Sequence, residues 1–231
     1  MKRKSVPGGS QKKENALTHA QARAFYDRFG KKQDTQAFYE NAALDALIAH
    51  ANFEQAQHVF ELGCGTGRLA SRLLAQHLPA HATYLGIDLS QTMIDLARQQ
   101  LTPYTQRAQV TLSDGTIRFP LSDQSIDRVV STYVLDLFSP TDIRAAFAEA
   151  HRVLIPGGKL CLASLATGST LASRLVCGLW SSLFRLHAPL VGGCRPIQLD
   201  HYYDDHNWTV DYCTRVIQFG VPSEVLILRA Q

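Results

Sequence analysis

Three glycines at alternate positions, Gly63, Gly65 and Gly67, break a chain that is an apolar strand pattern before them (Val59-Phe60-Glu61-Leu62) and a helical pattern after them (Leu69-Ala70-Ser71-Arg72-Leu73-Leu74). A buried strand that gives way to side-chain-free residues and restarts as a helix fits an open α/β sheet. There, backbone N–H groups at the carboxyl end of a strand come close to a bound molecule. The spacing narrows the ligand. The dinucleotide fingerprint G-x-G-x-x-G needs glycine at position 68, and Arg68 stands there, which disfavours a nicotinamide-dependent dehydrogenase. Thr83-Tyr84-Leu85-Gly86-Ile87-Asp88 reads as a second short buried strand, ending in a carboxylate, Asp88, 21 residues beyond Gly67. A carboxylate at that tip, beside the glycine loop, can accept hydrogen bonds from both hydroxyls of a ribose.

Further landmarks follow in order. Glu61-Leu-Gly63-Cys-Gly65-Thr-Gly67 resembles motif I of the class I S-adenosylmethionine-dependent methyltransferases. Asp88-Leu89-Ser90-Gln91-Thr92-Met93-Ile94-Asp95-Leu96-Ala97-Arg98 resembles that family's D-x-S-x-x-M-x-x-x-A-R segment, with Ser90 as a helix cap. Val110 to Gly115 sets a carboxylate, Asp114, after a short strand; Phe119 to Leu135 resembles the P-x-x-D-x-S-F-D-x-V region; Arg152 to Leu160 resembles the R-x-L-x-P-G-G-x-L turn. The resemblance covers about residues 55 to 165 and points to the type 11-like branch that includes the ubiquinone and phospholipid methyltransferases. It implies S-adenosyl-L-methionine as cofactor, with Asp88 on the ribose and Asp114 on the adenine amino group. By the same resemblance Glu61, Gly63, Gly65, Gly67, Leu89, Met93, Gly115 and Thr132 are cofactor-side residues. Tyr26, within Phe25-Tyr26-Asp27-Arg28-Phe29-Gly30, is expected to border the methionine end.

Alternating strand and helix patterns from 58 to 164 argue a doubly wound parallel α/β sheet. Val210 to Leu228 reads as two strand-like runs separated by Phe219-Gly220-Val221-Pro222, an antiparallel pair. Together with the resemblance this gives a seven-stranded, mostly parallel sheet with a C-terminal antiparallel hairpin, the Rossmann-like class I methyltransferase fold. A chain of 231 residues suits one domain, placed at 16–231, with a helical cap over 16–50 jointed near Gly30 to Asp34. Residues 1–15 carry five cations against one carboxylate and read as a disordered basic tail; without them the chain is one negative charge from neutral. That balance offers no broad basic face, so no nucleic-acid partner is expected. Five scattered cysteines form no C-x-x-C pair, which argues against a disulfide framework or a zinc site, and no metal is expected. The N-terminal stretch lacks an apolar signal region, so a cytoplasmic protein is expected.

Residues 165–208 lie between strand five and the hairpin and are expected to carry acceptor choice. Leu171, Leu175, Leu179 and Leu183 recur every four residues, an amphipathic ridge. It would pack on the sheet, cover an apolar acceptor, or touch lipid as a peripheral membrane contact. The expected acceptor is a small or lipid-like molecule. A sulfonium methyl donor is already activated, so placement and exclusion of water come first; a base helps a hydroxyl acceptor, and Tyr133, Asp136 and His201 are the candidate catalytic residues. Arg195 is a candidate anion clamp. The rival reading is a noncatalytic protein that binds S-adenosylmethionine or S-adenosylhomocysteine.

Overall fold

A computed structural model describes residues 18–167 and 194–231. The basic tail and the ridge from Leu171 to Leu183 lie outside the described residues. Seven strands form one sheet in the order β3-β2-β1-β4-β5-β7-β6. They are β1 (His58–Leu62), β2 (Thr83–Asp88), β3 (Ala108–Leu112), β4 (Ile126–Thr132), β5 (Leu154–Leu165), β6 (Trp208–Gln218) and β7 (Val221–Ala230). The first five are parallel, and β7 runs antiparallel to both β5 and β6. Among the described residues the α-helices are α1 (His19–Phe29), α2 (Ala37–Ala51), α3 (Arg68–Gln76), α4 (Gln91–Gln100) and α5 (Pro140–Val153). A short 3-10 helix, Gly30–Gln36, joins α1 to α2 at the expected break.

Alternation along the strands builds two cores. Val59 of β1 and Val130 of β4 join Leu47, Leu73 and Ile94 from α2, α3 and α4 on one face of the sheet. Phe60, Leu62 and Val129 join Ile143, Phe147 and Trp208 on the other face. From β1 the chain winds outward through β2 and β3, then returns to lay β4 on the opposite side of β1. The crevice between β1 and β4 is therefore the topological switch point, where open α/β sheets hold ligands.

Several motif residues turn out to hold the scaffold. Arg152 bonds to Asp123, Glu149 and the carbonyls of Phe119 and Leu121, tying the end of α5 to the loop before β4. Asp127 accepts from the amides of Gln57 and His58 and so sets the start of β1. The final hairpin is tighter than its sequence suggests. Phe219 (φ 49°) and Gly220 (φ 81°) make a two-residue turn, and Val221 and Pro222 already belong to β7. Positive φ at both turn residues matches the right-handed twist of the flanking strands.

Candidate functional site

A cleft opens at the carboxyl ends of β1, β2 and β4, the place where open α/β sheets hold small molecules. The glycine loop enters its lining at Gly63. Gly63 and Cys64 donate their amides to the Ile87 carbonyl at 2.8 and 3.0 Å, which turns the loop over the end of β2. Gly63, Gly65 and Gly67 all have φ between 52° and 79°, a backbone that L side chains rarely adopt. Asp88 faces the cleft from the tip of β2. Its Oδ2 accepts from the Gly65 amide at 3.0 Å and its Oδ1 from the Ser90 amide at 2.9 Å. Burial raises its pKa above the usual carboxylate range, opposed by these backbone donors.

Helix α1 reaches this cleft. Arg23 donates to the carbonyls of Leu89 and Ser113, so one guanidinium spans the loops after β2 and β3. Asp27 accepts from the Ser90 hydroxyl at 2.6 Å and so docks α1 on the start of α4. His19 and Tyr26 line the cleft on the same helix. Neither Arg23 nor His19 carried a sequence signal, because neither stands in a motif. Only the packing of α1 across the strand tips brings them in.

Beyond Gly63, Thr132 and Tyr133, which line both spaces, lies a polar chamber of about 440 Å³. Glu61 lines it, buried on β1 and held by the Tyr84 hydroxyl at 2.5 Å. Desolvation pushes the Glu61 carboxyl up to about 7, against the lowering effect of the Tyr84 bond, and Asp88 adds to the rise. Arg68, at the position where a dinucleotide site would have glycine, donates to Glu40 and Asn41 of α2, both at 2.7 Å. Thr66 donates to Asp34 at 2.8 Å, so the cap closes this end as well.

The remaining candidates separate. Leu89, Gly115 and Thr132 line the cleft. Asp114 is exposed and turns back to accept from Thr116, while its neighbours Ser113, Gly115 and Thr116 face the cleft. Met93 is fully buried within α4. Gly67 caps α3, and a Cβ there would stand 3.1 Å from Ala97 Cα, so its small size serves helix packing. Tyr133 sits at φ 55° between the two spaces, and its hydroxyl pairs with Ser223 Oγ at 2.8 Å. Asp136 is fully buried: Oδ2 accepts from the Leu165 amide at 2.9 Å and its carbonyl from the Arg195 amide at 3.3 Å. It ties β5 to the segment that begins at Cys194. Arg195 also donates to the Phe138 carbonyl, which makes it a strut in the loop. His201 is exposed on a 3-10 turn beside Asp200 and is not among the residues lining the cleft. Among the described residues Cys64, Cys161 and Cys213 are free thiols and no group of side chains could hold a metal ion. None of the described helices is long and apolar enough to cross a membrane.

Residues 59–158 match a family model described as a methyltransferase domain. The chain is 31% identical over 145 residues to the malonyl-[acyl-carrier protein] O-methyltransferase of Marinomonas sp., which covers 62% of this chain and 51% of that protein. It is 28% identical over 118 residues to the demethylmenaquinone methyltransferase of Symbiobacterium thermophilum, covering 50% and 46%. A tRNA N(3)-methylcytidine methyltransferase of Drosophila melanogaster is 30% identical over 126 residues, covering 53% and 39%. The chain thus spans about half the length of such relatives or less. Among solved structures, geranyl diphosphate C-methyltransferase from Streptomyces coelicolor, crystallised with S-adenosyl-L-homocysteine, has the same fold. It has a TM-score of 0.64 at 11% identity, over 83% of this chain and 76% of that one.

Proposed function

We propose, from the premise that this chain belongs to the class I methyltransferases, that it moves a methyl group from S-adenosyl-L-methionine to a small or lipid-like acceptor. The observation that carries this reading is the Gly65–Asp88 bond, which holds the glycine loop against a carboxylate that lines the cleft. It presents a carboxylate for ribose hydroxyls beside backbone free of side chains. The residues fit such a cofactor. Positive-φ glycines leave room for it, Asp88 supplies the acceptor, and Gly115 and Ile117 offer a flat wall for a base.

When bound, the sulfonium supplies an electrophilic methyl group, so this chain's own work is placement and exclusion of water. Tyr133 stands where the two spaces meet and is the residue we assign to border the methyl group. Its phenol, raised by burial, stays neutral and donates or accepts a hydrogen bond. Leu62, Val134, Leu137 and Phe138 give the cleft an apolar side that suits an acceptor with little charge. A methyl-transfer assay with labelled cofactor, run on cell extract split into lipid, small-molecule and macromolecular fractions, tests the reading. Label should enter the lipid or small-molecule fraction; label confined to the macromolecular fraction would overturn the acceptor class.

A further inference from the structure

Phe219 stands at the first position of the two-residue turn between β6 and β7, with φ 49° and 75% of its surface exposed. That position favours asparagine or glycine, and since Gly220 follows, Asn-Gly would be the usual pair. A phenylalanine there gives up turn stability and leaves a large apolar ring in water. Next to it lies Phe38, at the start of α2 and 54% exposed, with the two ring centroids 5.7 Å apart. Ile217 is exposed too, on the hairpin face opposite Val216, which packs with α2 against the first core. Apolar side chains therefore stand on both faces of the hairpin tip. The tip is also held firmly: the Ala42 amide of α2 donates to Gln218 Oε1 at 3.2 Å, and Tyr39 clusters with Val221.

This patch is continuous with the cleft. Phe38 meets Tyr39 edge-on at 5.1 Å, and Tyr39 meets Tyr133 edge-on at 5.8 Å. A row of four rings thus runs from the exposed turn to the residue assigned above to border the methyl group. Three exposed side chains fall far short of the roughly 800 Å² per partner that a standard protein interface buries. A bilayer needs no matching surface, and each apolar side chain that enters it leaves water. Resting on the lipid-like acceptor reading above, we propose that Phe38 and Phe219 dock on a lipid surface. The hairpin tip enters among the headgroups and brings the Tyr133 end of the cleft to a membrane-borne acceptor. Such a contact is reversible, near the scale of a single acyl chain.

The test is co-sedimentation of the full chain with phosphatidylcholine vesicles, whose surface has no net charge to attract the basic residues 1–15. The parent should sediment at about 1 mM lipid, where a protein held only as tightly as by one acyl chain is mostly bound. Phe219→Asn gives the turn its favoured Asn-Gly pair, so it should melt at or above the parent's temperature. It should nevertheless lower vesicle partition about tenfold or more, the scale of one phenylalanine taken out of water. Phe38→Ser should lower it likewise, and Phe219→Trp, which keeps an aromatic suited to the interface, should retain it. No sedimentation of the parent, or equal partition of the parent and a folded Phe219→Asn, would overturn the docking. A parent dimer in lipid-free sedimentation velocity that Phe219→Asn dissolves would also overturn it, because the patch would then belong to a second copy of the chain. None of these measurements involves turnover, so the docking can fail while label still enters the lipid fraction in the transfer assay, and the reverse.

Discussion

The Gly65 amide donates to Asp88 Oδ2 at 3.0 Å, so the carboxylate expected to hold a ribose also anchors the glycine loop after β1 to the tip of β2. Ser90, the cap of α4, occupies the other oxygen at 2.9 Å. One side chain therefore orders both the glycine loop and the start of α4.

Asp88→Ala should weaken S-adenosylmethionine binding by about 1.5–3 kcal/mol, the scale of hydrogen bonds to a charged group. It should also cost about 1–3 kcal/mol of stability, because two amides lose their acceptor. Calorimetric titration and chemical denaturation measure the two losses separately. Unchanged affinity in a folded variant would remove Asp88 from the cofactor site.

Gly67→Ala and Gly65→Ala should differ in what they harm. Both carry backbone strain, of order 1 kcal/mol for a left-handed φ. At Gly67 the new methyl also meets Ala97 Cα at 3.1 Å and Cβ at 3.2 Å, contacts that only a shift of α4 relieves. We expect about 1–3 kcal/mol of further destabilisation there, the usual cost of overpacking. At Gly65 the atoms nearest the methyl belong to the flexible Gln33 amide, so the loss should fall on ligand binding. Melting temperatures of the two variants compared with their S-adenosylhomocysteine affinities check the contrast.

Glu61 sets a pH dependence. Its carboxyl is held at about 7 in the folded chain, chiefly by burial, against an ordinary value of 4.5. Between those values the folded state keeps a proton that the unfolded state has lost, so this group's contribution to stability falls as pH rises from about 4.5 to about 7. Binding of a cation works the other way: it favours ionised Glu61 and should strengthen as pH rises through about 7. Glu61→Gln should flatten both trends. Melting and titration series from pH 5 to about 8 would show it, and an unaltered slope in the variant would assign the dependence elsewhere.

Asp136 should behave as a positioning residue. Asp136→Asn keeps an acceptor for the Leu165 amide and removes a buried ionisable group that desolvation holds at about 7. It should be as stable as the parent or more so above that pH, and keep turnover within about threefold, far from the roughly 100-fold or greater loss that removal of a general base causes. Asp136→Ala leaves the amide unpaired and should lose about 1–3 kcal/mol. Denaturation at two pH values beside a turnover assay decides it. A stable Asp136→Asn variant with about a 100-fold loss of turnover would make Asp136 the base.

Local pattern determined the frame of this protein. The apolar runs that became β1 to β5, the cap at Ser90, and the glycine loop with Asp88 following at a set distance were all legible, because each depends on neighbours in the chain and on backbone freedom. The cap's break near Gly30 was legible for the same reason. Tertiary structure decided which polar groups meet. Arg23 reaches Leu89 and Ser113 across 66 and 90 residues, and Arg68 finds Glu40 of α2 across 28, contacts that leave no trace in local spacing. Burial likewise sorted residues that look equivalent in sequence. Asp88 and Asp114 both follow strands, yet one turns inward to anchor the loop while the other turns back on Thr116 at the surface. A side chain's direction at a strand tip depends on which backbone donors surround it, and those donors come together only when the sheet and its cap have closed.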